Sequence, residues 1–213
     1  MEKPIFTLFL ILSSLFAILS TTIAHHPPRS PTKHTNKHPS SFIQSSCRAT
    51  RYPPLCYHSL SGFGSKIGQS HRQLALTALA VSLSKARSAA RFVSRMKNAK
   101  GIKHREFEAV KDCIDTMSDG VDQLTRSFEE LANLGYTNGE DFMWHMSNVQ
   151  TWVSSALTDE STCVDGLSDG HNKGGKVKGV VQKRVNNVAQ LTSNALALVN
   201  RFVSRYKFAK LQV

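Results

Sequence analysis

The sequence predicts an all-α protein: an up-down-up-down four-helix bundle preceded by an N-terminal helical hairpin and held by two disulfides. Three observations support this fold class. Apolar residues recur at steps of three and four along four long segments, which is the period of helices packed in a bundle. Short connections join these segments, as they join antiparallel neighbours in a bundle. No segment shows the alternation of apolar and polar residues that a β-strand would show.

Residues 1–24 have the composition of a cleaved signal peptide. A single lysine precedes an apolar run from Ile5 to Leu19, and small residues such as Ala24 follow it. The run is too short for a comfortable transmembrane helix, so we expect cleavage after Ala24 and a secreted chain without a membrane contact. A retained membrane anchor is the alternative.

Residues 25–41 are rich in His, Pro, Ser and Lys and contain little that could fill a core. This composition predicts a disordered, basic tail. Its histidines are irregularly spaced, which favours a solvated cationic arm over a metal site. We therefore expect no metal here, and no motif in the chain indicates a cofactor.

The folded domain is predicted to span 42–213, with the hairpin at about 42–65 and the bundle at about 66–213. The chain has four cysteines, which allow three pairings. Cys47 and Cys56 flank a short turn-forming stretch and would bridge most easily to each other, which leaves Cys113 with Cys163. A bridge across a loop of roughly 50 residues contributes about 4 kcal/mol on the chain-entropy model.

The second bundle helix has the most regular apolar stripe of the four. Its members are Phe107, Val110, Ile114, Met117, Val121, Leu124, Phe128 and Leu131. The third helix is expected to begin at Asp141 and to end near Gly166. A linker rich in Gly and Lys then leads to the fourth.

The net charge of +12 indicates a polyanionic partner. Outside the cell such partners are acidic polysaccharides or acidic protein surfaces, and no nucleic-acid-binding motif is present. Two similar basic segments, 91–100 and 201–210, end the first and fourth helices. They either complement the helix dipoles or, because the two helices run antiparallel, form clusters at opposite ends that suit a long anionic polymer.

No catalytic motif is present, so an enzyme is not expected. Instead, acidic residues follow the apolar stripe of the second helix. A solvated helix face with acids near its N-terminus accounts for Glu108. It does not account for Asp119 and Asp122, which lie beyond the first turns, where like charges repel by a few tenths of a kcal/mol per pair. These residues predict a binding face.

Four segments together resemble the plant invertase and pectin methylesterase inhibitor family. They are CRATRYPPLC, AVKDCIDTMSDGVDQLTRSFEEL, VQTWVSSALTDESTCVDG and LTSNALAL. The resemblance covers the chain from about Phe42, so 42–213 is expected to be an inhibitor domain. It implies a four-helix bundle with an N-terminal helical hairpin and disulfides that pair the first cysteine with the second and the third with the fourth.

The resemblance further implies pectin methylesterase as the target, because TWVSSALTDESTC looks like that branch and the Pro-Lys-Phe element of the invertase branch is missing. An inhibitor of cell-wall or vacuolar invertase is one alternative. A basic pectin-binding wall protein without inhibitory activity is another. Related pro-regions precede the catalytic domain of some pectin methylesterases, but the chain ends at Val213, so a free-standing inhibitor in the apoplast is expected.

For a pectin methylesterase inhibitor of this type, the resemblance implies a one-to-one complex that covers the pectin-binding cleft of the enzyme with the second and third bundle helices. The resemblance implies six target-binding residues, which are Asp115, Asp119, Asp122, Gln150, Ser154 and Thr162. Trp152 lies in the same motif and is expected to be a core anchor.

Overall fold

A computed structural model describes residues 39–135, 139–168 and 176–210. Within these ranges the regular structure is helical and includes no strand, which confirms the predicted all-α class. The predicted signal peptide and the tail up to residue 38 lie outside the described residues. None of the described helices has an apolar stretch long enough to cross a membrane.

Two short helices form the N-terminal hairpin. Helix α1 spans Pro39–Cys47 and α2 spans Pro53–Leu60, and the Cys47–Cys56 disulfide joins them with a Cα–Cα distance of 5.6 Å. Helix α1 begins inside the segment that was expected to be a tail. Proline suits the first position of a helix, and burial of Ile43 holds this turn against the core.

A 3-10 turn at Ser61–Phe63 and a short helix α3 at Gly64–Ile67 lead into the bundle. The four bundle helices are longer and are connected in chain order. They are α4 at His71–Met96, α5 at His104–Asn133, α6 at Glu140–Gly166 and α7 at Lys176–Lys210.

The bundle has the predicted up-down-up-down order. At one end of the bundle, contacts join the start of one helix to the end of its neighbour, so the neighbouring helices run antiparallel. Near the start of α4, Arg72 donates to the carbonyl oxygen of Leu134 just beyond α5 at 2.6 Å. The end of α5 meets the start of α6 through Glu130 and His145. The ring of Phe142 in α6 stacks on Tyr206 near the end of α7, with centroids 3.6 Å apart.

The core lies between the four helices and is formed by the predicted stripes. In α5, Val110, Met117, Leu124 and Leu131 are fully buried, and the intervening apolar residues pack at its edge. Asn194 of α7 attaches the hairpin to this core, because its side chain exchanges two 3.0 Å hydrogen bonds with the backbone of Tyr52.

Candidate functional site

A disulfide and a close helix approach fix α5 against α6. Cys113 and Cys163 are bonded with a Cα–Cα distance of 4.5 Å, which confirms the expected pairing. Two turns further along α5, Gly120 is buried against α6. A Cβ atom at Gly120 would lie 3.6 Å from the carbonyl oxygen of Ala156 and 3.6 Å from Cβ of Asp159. This pair of helices therefore presents one continuous surface.

The three predicted acids of α5 are exposed on this surface. Asp115, Asp119 and Asp122 form no ion pair with any described residue. Asp119 lies on the side of α5 that borders α6, near Asp159. Partial burial raises the pKa of the Asp159 carboxyl, and the negative charge of Asp119 raises it further. The two helices thus bring carboxylates together in one unneutralised cluster.

The predicted residues of α6 do not all join this cluster. The Gln150 amide donates to Oδ1 of Asn200 at 2.6 Å, so Gln150 faces α7. Gln150 and Asp159 are nine residues apart, which at 100° per residue places them on opposite sides of α6. Ser154 is exposed on the outer side of the helix. The structure therefore does not place Gln150 beside the acids of α5.

Thr162 lies three residues after Asp159, so the two side chains share one side of α6. Thr162 is exposed and directly precedes Cys163, which is bonded to α5. Its hydroxyl donates to the carbonyl oxygen of Thr158 at 2.9 Å, which leaves the oxygen lone pairs available to a partner. Hereafter the α5/α6 surface means Asp115, Asp119, Asp122, Asp159 and Thr162.

Sequence reasoning missed Asp159, although its position could have been found from spacing. Asp159 lies one turn before Cys163, which is bonded to α5, so both residues point towards α5. Trp152 is half-buried rather than enclosed as a core anchor. Another tryptophan of α6, Trp144, is 62% exposed beside His145, and the sequence analysis did not single it out.

Beyond the acidic cluster, Glu130 links α5 to the start of α6. Its Oε1 lies 2.7 Å from Nδ1 of His145 and accepts a 3.3 Å hydrogen bond from the Asn148 amide. Glu130 is therefore committed to joining the helices, whereas the carboxylates of the α5/α6 surface are free to meet a partner.

A carboxyl group is also enclosed in the core behind this surface. Glu160 has no exposed area, and its Oε1 accepts a 2.9 Å hydrogen bond from the hydroxyl of Thr192. Burial raises the pKa of Glu160 to about 8. The apolar spacing of α6 passes through residue 160, so the sequence already placed a glutamate on the core stripe.

Among the described residues, His, Cys, Asp and Glu side chains form no group of three that could hold a metal. Exposed carboxylates such as those of the α5/α6 surface can accept charge-assisted hydrogen bonds from cationic or hydroxyl groups.

Comparison with known proteins identifies the family. The model of the family described as plant invertase/pectin methylesterase inhibitor matches residues 41–198. The chain belongs to this family. Its relatives include pectinesterase inhibitor 9 of Arabidopsis thaliana, which is 47% identical over 93% of this chain and 95% of its own length. Pectinesterase inhibitor 11 of the same plant is 45% identical over 97% of this chain and its whole length.

The inhibitor family resemblance seen in the sequence is thereby confirmed, and so is its fold. A crystal structure of a mutant pectin methylesterase inhibitor from Arabidopsis matches with a TM-score of 0.57 at 21% identity, covering 74% of this chain and 95% of that one. At this identity the likeness concerns the fold alone. The family name includes inhibitors of two enzymes, so the choice of target needs a separate argument.

Proposed function

We propose that this chain is a secreted inhibitor, not an enzyme, and that its target is plant pectin methylesterase. Two relatives with 47% and 45% identity over nearly their full lengths are named pectinesterase inhibitors. One observation on the molecule carries the proposal: three exposed aspartates of α5 lack ion-pair partners among the described residues, on a helix pair fixed by a disulfide.

Inhibition is non-covalent in this proposal. One inhibitor covers the pectin-binding cleft of one enzyme with α5 and α6, and pectin is excluded by steric occlusion. Carboxylates of the α5/α6 surface make charge-assisted hydrogen bonds to basic or hydroxyl groups around the cleft. Such charged contacts set the orientation of the complex and accelerate its formation. The helices themselves need not move, because the Cys113–Cys163 bond and the packing at Gly120 hold the surface in shape.

The test measures two enzymes side by side. Purified plant pectin methylesterase and purified plant invertase are titrated with the secreted chain while pectin demethylation and sucrose hydrolysis are followed. We expect inhibition of demethylation that is complete at one equivalent, and no inhibition of sucrose hydrolysis. Inhibition of invertase alone would reassign the target within the family. Inhibition of neither enzyme would leave pectin binding without inhibitory activity as the function of the protein.

Stoichiometry is measured on the same samples by gel filtration with light scattering. A complex with the mass of one enzyme and one inhibitor is expected. Location is tested with the full chain carrying a fluorescent protein at its C-terminus, for which we expect signal in the apoplast. Retention inside the cell would contradict the proposed secretion.

A further inference from the structure

Charge is divided between the two halves of the bundle. Helices α4 and α7 together contain thirteen Lys and Arg residues and no Asp or Glu. Helices α5 and α6 together contain thirteen Asp and Glu residues and three Lys and Arg residues. Since α4 packs against α7 and α5 packs against α6, the opposite charges lie on opposite sides of the bundle. The chain is therefore strongly dipolar across its bundle axis.

A recess lies between α4 and α7 on the basic side. Its volume is about 610 Å³. Its polar lining combines three cations with a hydroxyl and two amides, which are Lys85, Ser88, Lys183, Arg184, Asn187 and Gln190. The recess lies outside both basic segments that the sequence analysis singled out, at 91–100 and 201–210.

The cations of the recess are held in place without being neutralised. The Arg184 guanidinium lies 4.6 Å from the centroid of the Phe92 ring and donates to the Ser88 hydroxyl at 3.2 Å. This arrangement orients its remaining N–H groups at little further entropic cost. Lys85 and Lys183 are exposed. None of the three has a carboxylate partner among the described residues, because neither helix supplies one.

We propose that this recess binds a linear polyuronate, the demethylated form of pectin. Regular carboxylates along such a chain suit Lys85, Lys183 and Arg184, and its hydroxyl groups suit the two amides and Ser88. The choice of this polyanion rests on the proposed function, because a pectin methylesterase releases carboxylates on the polymer that it acts on. The recess is on the opposite side of the bundle from the α5/α6 surface, so the polymer and the enzyme bind at the same time.

The consequence is that the inhibitor is retained where the enzyme has already worked. Fully methylesterified pectin has no carboxylates and would not bind. Demethylated stretches would concentrate the inhibitor beside the enzyme that produced them, which is a form of product-dependent feedback. The recess then determines location, whereas the α5/α6 surface determines inhibition.

The test compares two pairs of substitutions in the full secreted chain. Lys85→Gln with Lys183→Gln removes two charges from the recess. Lys66→Gln with Lys111→Gln removes two charges from exposed lysines of α3 and α5. Binding to immobilised polygalacturonate is measured over a series of salt concentrations, without enzyme. We expect the recess pair to weaken binding roughly tenfold, a size typical of losing two exposed ionic contacts, and to reduce the salt dependence. The control pair should bind like the unmodified chain.

Several results would overturn the proposal. These are no binding of the unmodified chain to polygalacturonate, equal weakening by both pairs, or equal binding to highly methylesterified pectin. Binding to vesicles with anionic lipids that is lost in the recess pair, with polygalacturonate binding unchanged, would assign the recess to a membrane. Self-association on gel filtration that is lost in the recess pair, again with unchanged polymer binding, would assign it to a second copy of the chain.

Inhibition is measured on the recess pair as well. In a soluble assay with methylesterified pectin well below saturation, so that substrate does not displace the inhibitor, we expect the same inhibition as for the unmodified chain. Polymer binding without any inhibition would refute the proposed function and leave the recess intact. Inhibition without polymer binding would refute the recess alone, so the two failures are distinguishable.

Discussion

Glu160 is expected to make the bundle less stable as pH rises. Its carboxyl is fully buried between α6 and α7, and burial raises its pKa to about 8 from an ordinary value of 4.5. Between these values the folded chain keeps a proton at Glu160 that the unfolded chain releases. The contribution of this proton to stability is therefore complete below the unfolded value and is lost as pH rises towards 8.

The structure sets the size of the effect. When one proton separates the folded and unfolded states, the free energy of unfolding changes by about 1.4 kcal/mol per pH unit. Between pH 5 and pH 7 the expected loss is thus roughly 2 to 3 kcal/mol. Substituting Glu160→Gln removes the titration, and the amide oxygen of glutamine can still accept the hydrogen bond from Thr192.

The assay is urea denaturation of the oxidised chain at pH 5, 6, 7 and 8, followed by circular dichroism. We expect the stability of Glu160→Gln to fall less steeply with pH than that of the unmodified chain. Glu129→Gln, which removes an exposed carboxyl of α5, serves as the control and should keep the original slope. Parallel pH profiles for the unmodified chain and Glu160→Gln would refute the reasoning.

Three further predictions concern the joint between α5 and α6. Gly120→Leu should destabilise the bundle by about 1 to 3 kcal/mol in urea denaturation and weaken inhibition. Gly120→Ala should be tolerated, because a Cβ atom there meets only ordinary contacts at 3.6 Å. Equal effects of the two substitutions would contradict this. Replacing Cys113 and Cys163 by alanine should lower the free energy of unfolding by about 4 kcal/mol and impair inhibition more than replacing Cys47 and Cys56. Unchanged inhibition would show that the Cys113–Cys163 disulfide stabilises the fold without shaping the binding surface. In an NMR titration, Asp119→Asn should lower the raised pKa of Asp159, and an unchanged pKa would show that burial alone raises it.

Much of the fold could be predicted because the spacing of apolar residues indicates which face of each helix packs into the core. The stripe of α5 marks the residues that the core buries, and the end of α6 at Gly166 agrees with the structure. The predicted start of the folded domain at residue 42 is later than the start of α1 at Pro39. A composition rich in His, Pro and Ser is typical of a disordered tail, and it does not show that Ile43 is buried.

The candidate site was harder to predict because it depends on rotation about the helix axes. The shared spacing of the α5 acids predicted one exposed face, and the structure exposes Asp115, Asp119 and Asp122, whereas their role in binding stays a prediction. Gln150 was assigned to the same binding face because of its place in a family motif. In the structure, the packing of α6 between its neighbours turns Gln150 towards Asn200. Charge separation between the two halves of the bundle could be counted in the sequence only once the pairing of α4 with α7 was known.

The central claim is that the exposed carboxylates of α5 bind the target enzyme. The most direct measurement is the inhibition constant against purified plant pectin methylesterase for the chain carrying both Asp119→Asn and Asp122→Asn. Glu140→Gln with Asp165→Asn, which removes two exposed charges at the ends of α6, is the matched control. The α5 pair should weaken inhibition at least about tenfold with an unchanged unfolding midpoint, while the control stays close to the unmodified chain. Equal potency of the two pairs would contradict the account.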